Sequence, residues 1–381
     1  LFLAGTQPAF FDTFPMIWFA DDDEPKRLKT DGRWTQRYRV EDRLGDGNGM
    51  LQIYKDIEWT LRAYPTRPYF AVQLAYTNNK KDPVTVRALM PWCVGDPGKG
   101  VLTLGENTDA SAILTGFTTG DGRLSQSEAA GPDAIALFNA RTGRSIIAGF
   151  ITQDRASSRF EIGKTETGEE AGFYHFRAVC EFDPPVTLEP GEQLASEVLY
   201  IAVGELDPVV GVQRYARAVT VVNTTGARPA PFRAWDFRDA AQVPAEFPGA
   251  NSDVVPFAMF RDGGLDATRR QSLEALGLRP SIWSDSADAG RETTGVGAVA
   301  GLDLDRMIST DLPGDGTRVE RLSTAVRGIR NALGDGVQLY ATRPSLLASI
   351  LTDGVVAPGG TLERAVASSS IAPVTLPIGG A

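Results

Sequence analysis

The sequence predicts a chain of two unlike parts: a large antiparallel β-sandwich over residues 1–225, then a parallel α/β unit, a barrel or part of one, over residues 226–381. Three observations carry this reading. Short apolar or alternating runs, broken by turn signals, fill the first part with little helical periodicity. Arg228-Pro229-Ala230-Pro231 then forms a stiff linker. Beyond it, strand-like and helix-like segments alternate, which is the pattern of a parallel sheet covered by helices. A length of 381 residues suits two or three domains and can bury a large core without disulfides or metal.

In the first part the clearest strands are residues 72–76, 145–151 and 194–203. Between them stand Gly45-Asp46-Gly47-Asn48-Gly49, Thr77-Asn78-Asn79, Thr119-Gly120-Asp121-Gly122 and Glu189-Pro190-Gly191, all turn-forming combinations. Residues 207–219 break the pattern, and Val210, Val212, Tyr215 and Val219 suit a helix closing the domain. In the second part residues 254–260, 280–283, 299–304 and 337–341 read as strands. Residues 267–276 read as a helix, and residues 319–333 as an amphipathic helix stopped by Gly334.

Composition narrows the function. The formal charge is −10, and no local basic stretch offsets a field that repels phosphate backbones, so nucleic acid is not an expected partner. No apolar run reaches the roughly 20 residues that span a bilayer. Leu1-Phe2-Leu3-Ala4-Gly5 is too short for a signal h-region and has no basic flank, and the compartment stays open. One histidine, His175, and two cysteines, Cys93 and Cys180, argue against Cys/His zinc sites and histidine-based triads. No cofactor or metal is implied, and both thiols read as free and buried.

Several apparent motifs fail on chemistry. Gly95-Asp96-Pro97-Gly98-Lys99-Gly100 lacks the Ser or Thr that a phosphate loop needs after its lysine. Gly295-Val296-Gly297-Ala298-Val299-Ala300 follows a polar stretch rather than a strand. Asp21-Asp22-Asp23-Glu24 does not have the spacing of a calcium loop and reads as a solvated turn. His175, among Phe173, Tyr174 and Phe176, reads as structural. Asn223-Thr224-Thr225 is a formal glycosylation sequon.

Carboxylates at strand ends remain. Asp262, Asp285, Asp303 and Asp305 all follow predicted strands, and in a β/α barrel functional groups stand at the C-terminal strand ends. Two carboxylates facing each other there can split a glycosidic bond, one as nucleophile or base and the other as acid. The competing role of each is a helix cap.

The order of segments carries a resemblance. Val40-Glu41-Asp42-Arg43-Leu44-Gly45, Glu58-Trp59-Thr60-Leu61, Pro83-Val84-Thr85-Val86 with Pro91-Trp92, and Leu188-Glu189-Pro190-Gly191-Glu192 with Ser196-Glu197 follow one another in the first part. In the second part come Trp235, Phe260-Arg261-Asp262-Gly263, Gly277-Leu278-Arg279-Pro280-Ser281-Ile282-Trp283 and Gly301-Leu302-Asp303-Leu304. Together they resemble glycoside hydrolase family 36, the α-galactosidase and raffinose-synthase relatives, over nearly the whole chain. The resemblance implies an N-terminal β-supersandwich and an incomplete or degenerate (β/α) TIM-like barrel. It places Asp303 at the nucleophile position. Asp262, Trp235, Trp283 and Asp285 are the candidate sugar contacts, and the competing role of the tryptophans is to hold strands to helices.

The departures from the family are specific. Arg261 stands where the first aspartate of Asp-Asp-Gly binds substrate hydroxyls, and Gly301 where Lys-x-Asp-Phe has its lysine. In Thr352-Asp353-Gly354-Val355-Val356-Ala357-Pro358-Gly359, Val355 replaces an arginine and Gly359 the general acid. Proton transfer by such an acid is worth about 10²–10⁴-fold in rate. Only 22 residues follow Gly359, too few for the family's remaining strands, so the resemblance implies an open barrel whose unpaired edges recruit a protein partner or a second copy.

The expectation is therefore a non-catalytic relative that binds a galactoside or other glycan, or serves as a structural subunit. Two alternatives stand beside it. In one, an active retaining glycosidase or transglycosidase uses a relocated acid, with Asp353, Asp285 and Asp262 as candidates ahead of Glu363. In the other, the sandwich is a protein-interaction module and the barrel a scaffold.

Overall fold

The structure is a computed structural model. It describes residues 13–28, 34–97 apart from 66 and 68, 101–104, 111–115, 125–126, 134–165, 172–205, 207–223, 233–237, 256–261, 279–284, 299–334, 337–341, 345–358 and 373–376, with four helical positions between 268 and 275. Two compact units divide at Val222 and Asn223.

The N-terminal unit consists of two antiparallel sheets. One has five strands: Ser157–Lys164, Tyr174–Leu188, Val84–Val94, Thr13–Phe19 and Lys26–Arg27, in that spatial order. The other has ten, running from the edge strand Trp34–Asp42 through Gly45–Tyr54, Ile57–Ala63 and Tyr69–Thr77 to Leu199–Glu205 and Arg144–Phe150 and beyond. Alternation of buried and partly exposed residues along Ser157–Lys164 and Tyr174–Leu188 turns one face of the small sheet inward. Aromatic side chains join the layers. Trp92 of the small sheet lies 5.6 Å from Trp59 and 5.4 Å from Phe70 of the large one, and Phe160 lies 5.3 Å from Phe150. The Trp59 indole N–H donates to the Pro91 carbonyl at 2.8 Å, so this buried polar edge is satisfied.

The expected run 194–203 is two strands, Gln193–Ala195 and Leu199–Glu205, separated by a crossing that buries Glu197. Its carboxylate accepts the Thr152 hydroxyl and the backbone N–H groups of Asp154, Arg155 and Ala156 at 2.7–3.0 Å. A single buried charge thus orders the turn leading into Ser157–Lys164. The helix Pro208–Asn223 closes the unit as expected. Its Tyr215 ring lies on Gly149, where any Cβ would collide with it, and its hydroxyl donates to the Phe150 carbonyl.

Cys93 and Cys180 are free and buried, and burial raises both thiol pKa values. His175 lies on the strand Tyr174–Leu188, over Gly163. Asp22 of the acidic turn pairs with Lys26, and no group of three or more metal-binding side chains occurs among the described residues. No helix among them is long and apolar enough to cross a membrane.

In the C-terminal unit the strands Arg233–Phe237, Pro256–Arg261, Arg279–Ser284, Val299–Leu302, Gln338–Ala341, Gly354–Pro358 and Pro373–Leu376 pair in parallel in chain order. The last returns to the first through Arg233 and Thr375, so the ring is closed. The open edge expected from the short C-terminal stretch is therefore corrected. Pro373–Leu376 takes up the free edge of Gly354–Pro358 by four residue pairs, and the backbone groups that would have recruited a partner find one within the chain.

The helix Arg318–Leu333 follows its predicted span. Thr317 and Glu320 form a reciprocal capping box, Gly334 ends it at positive φ, and Val319, Leu322, Val326 and Ile329 form its buried face. Leu322, Val326 and Ile329 join Leu302 and Leu339 of the strands in one core. Thr268, Gln271, Glu274 and Ala275 are helical within the expected span 267–276.

Two stability measurements check this account. Replacing Glu197 by alanine strands three backbone donors, so urea unfolding is expected to show a loss of about 3 kcal/mol. Burial, aided by Arg177, lowers the pKa of His175. Its contribution to stability is then complete above the unfolded value of about 6.5 and lost as pH falls through the lower folded value. His175→Gln should flatten the acid side of the stability-against-pH curve.

Candidate functional site

Parallel pairing puts residues of different strands into rows. Arg261, Trp283, Gly301, Tyr340 and Gly354 occupy one row. Ser284, Leu302, Ala341, Val355 and Pro373 occupy the next row towards the C-terminal strand ends. Asp303 comes one residue beyond Leu302, at the C-terminal end of its strand, where the sequence places it.

Its side chain is already engaged. Asp303 is the N-cap of the short helix Leu304–Ser309, and its carboxylate accepts the Arg306 N–H at 3.2 Å. The sequence Asp303-Leu304-Asp305 supports this locally, with a capping acid followed by a second acid in the first turn. On its other side Gly301 is buried and contributes no side chain to its row.

Asp353 lies elsewhere. It precedes the strand Gly354–Pro358, at its N-terminal end, level with Leu339 rather than with the strand ends. Three residues of register, about 10 Å along the strand direction, separate its level from that of Asp303. One of its carboxylate oxygens accepts from Arg330 at 3.0 Å and from the Leu339 N–H at 2.8 Å. Asp353 thereby ties the helix Arg318–Leu333 to two strands. The buried Tyr340 next to it donates its hydroxyl to Gln338 at 2.9 Å, and burial followed by the Asp353 charge raises its pKa.

Trp235 pairs with Ala258, and Ala258 with Pro280, which is three residues before Trp283. The two tryptophans therefore occupy different rows. Asp262, Asp285, Gly359 and Glu363 lie outside the described residues.

Arg330 is the residue that sequence reasoning missed. The helix pattern is visible, but a pairing across 23 positions is not. Glu197 was noticed only as part of a motif, since nothing local announces that its carboxylate gathers the turn after Ile151.

No protein-family profile matches this chain, and a search of curated proteins returns no match. Solved structures do match. The GH36 α-galactosidase AgaA of Geobacillus stearothermophilus superposes with a TM-score of 0.59 at 11% identity, covering 97% of this chain and 67% of that one. AgaB of the same organism gives 0.57 at 11% identity with the same coverage. An α-galactosidase of Lactobacillus brevis gives 0.54 at 10% identity, over 95% of this chain and 64% of that one. The chain thus has a GH36-like fold and spans about two thirds of the length of these proteins.

Two substitutions test the roles of the aspartates. Asp303→Ala should cost about 1 kcal/mol, the worth of an N-cap. Asp353→Ala should cost about 2 kcal/mol, because it strands a backbone donor and removes a partly screened ion pair. Both values are read from chemical denaturation.

Proposed function

We propose that this chain is a non-catalytic relative of the α-galactosidases, in which a β-supersandwich is joined to a degenerate (β/α) barrel. It serves to bind carbohydrate or as a structural subunit. The observation that carries this is the state of Asp303. The fold is like that of α-galactosidases, and Asp303, which the sequence resemblance sets at the nucleophile position, caps a helix and has a glycine two residues back. Asp353, a candidate substitute acid, supports the same reading, being held by Arg330 and the Leu339 N–H.

The chemistry follows from these assignments. A retaining glycosidase needs two carboxyl groups about 5–5.5 Å apart, one to attack the anomeric carbon and one to protonate the leaving oxygen. With Gly359 at the acid position there is no proton to deliver to an unactivated alkoxide. With Gly301 in place of the lysine, that position supplies no cation to hold a sugar hydroxyl. Binding needs neither group. An aromatic residue such as Trp283, which the sequence sets one row before the end of its strand, is the residue type that stacks on a sugar.

The fold likeness also favours a second reading, an active glycosidase that draws its acid from Asp262 or Asp285. Variants of AgaA have been solved in complex with stachyose and with raffinose, which makes these oligosaccharides the natural binding probes.

Incubation with 4-nitrophenyl α-galactoside should release nitrophenol no faster than a blank, with no change in Asp303→Asn. Calorimetric titration with raffinose should give saturable heat that is lost in Trp283→Ala. Turnover at ordinary enzymatic rates, abolished in Asp303→Asn, would establish the second reading. Absence of heat with every glycan would leave only the structural role.

A further inference from the structure

The N-terminal unit carries a cavity that the carbohydrate reading does not use and on which it does not depend. Its volume is about 420 Å³, and four arginines line it: Arg43, Arg67, Arg214 and Arg217. They come from three separate places. Arg43 is in the turn between Trp34–Asp42 and Gly45–Tyr54, Arg67 is just before Tyr69–Thr77, and Arg214 and Arg217 are one turn apart on the helix Pro208–Asn223. Tyr69 and Leu44 supply apolar lining, and no carboxylate lines the cavity among the described residues.

Several other arginines of this acidic chain are matched to acids. Arg62 meets Asp42, Arg87 and Arg159 meet Glu181, Arg321 meets Asp311, and Arg330 meets Asp353. The cavity arginines are not. Arg43 donates to the Val222 carbonyl at 2.8 Å, which fixes the turn against the helix, and none of the four forms an ion pair with a described residue. The adjacent acid is committed elsewhere: Asp42 accepts from Tyr64 at 2.7 Å, from the Leu44 N–H at 2.9 Å and from Arg62.

The scaffold beneath is firm. The Tyr69 hydroxyl donates to the Leu44 carbonyl at 3.2 Å, its ring lies 4.7 Å from Tyr200, and Tyr200 lies 5.7 Å from Tyr215 of the helix. The positive field of Arg214 and Arg67 reaches the buried Tyr200 hydroxyl, where it opposes the rise in pKa that burial imposes.

Four like charges lining one space, in a protein of net charge −10, repel one another unless an anion joins them. Guanidinium groups bind oxyanions in a planar, two-point geometry, and a concavity of this size holds a small molecule of about one or two rings. We propose that this cavity binds a small polyanion carrying phosphate or sulfate ester groups.

The test is isothermal titration of the full chain at low salt with two probes, fructose 1,6-bisphosphate and a disulfated disaccharide. One-to-one saturable heat is expected with at least one of them, and the stronger identifies the ester. Binding should weaken at least tenfold in the double variant Arg214→Ala/Arg217→Ala, and again when salt is raised about tenfold. Arg327→Ala, on an exposed helical position of the other unit, should leave it unchanged. Arg214 and Arg217 are exposed, so the double variant should melt like the parent. Absence of saturable heat with both probes, or equal weakening in Arg327→Ala, would overturn the proposal.

Discussion

Register in the parallel ring is the constraint from which the chemistry of this molecule follows. Each strand is bound on both sides, so no residue can change its level without slipping a whole ladder of hydrogen bonds. Register puts Asp303 past the end of its strand, Gly301 in the row behind it, and Asp353 at the opposite end of a strand two places away. Local chemistry then commits both aspartates. The helix beginning at Leu304 needs a cap, and the Leu339 N–H with Arg330 needs an acceptor. A carboxylate that satisfies a backbone donor has less freedom to approach a sugar.

The N-terminal unit solves a different problem with similar means. Its two sheets adhere through aromatic rings, which need only approximate fit, but the crossing at Glu197 and the helix at Tyr215 depend on particular polar contacts. The cluster Tyr69–Tyr200–Tyr215 holds the helix against the large sheet. In doing so it carries Arg214 and Arg217 up to Arg43 and Arg67.

Much of the architecture was legible in the sequence. Val319, Leu322, Val326 and Ile329 recur at helical spacing with Gly334 behind them, and that helix has the predicted span. The alternating runs of the first part became strands for the same reason, since periodicity reports burial directly. Pairing partners were less visible. Nothing near Pro373 says that it will join Gly354–Pro358 and Arg233–Phe237 at once, so a short C-terminal stretch was read as an open edge. For the site, the cap role of Asp303 could be weighed from the residues that follow it. The tie between Asp353 and Arg330 could not, because it joins a loop to a helix face that only the folded chain brings together.

Reactivity of Asp303 towards an activated, fluorinated α-galactosyl fluoride tests this account most directly. Such a reagent carries a leaving group that needs no protonation, so a missing acid cannot conceal a working nucleophile. Intact-protein mass spectrometry after prolonged incubation should show the unmodified mass. A stoichiometric glycosyl adduct that maps to Asp303 would contradict the account and restore the chain to the retaining glycosidases.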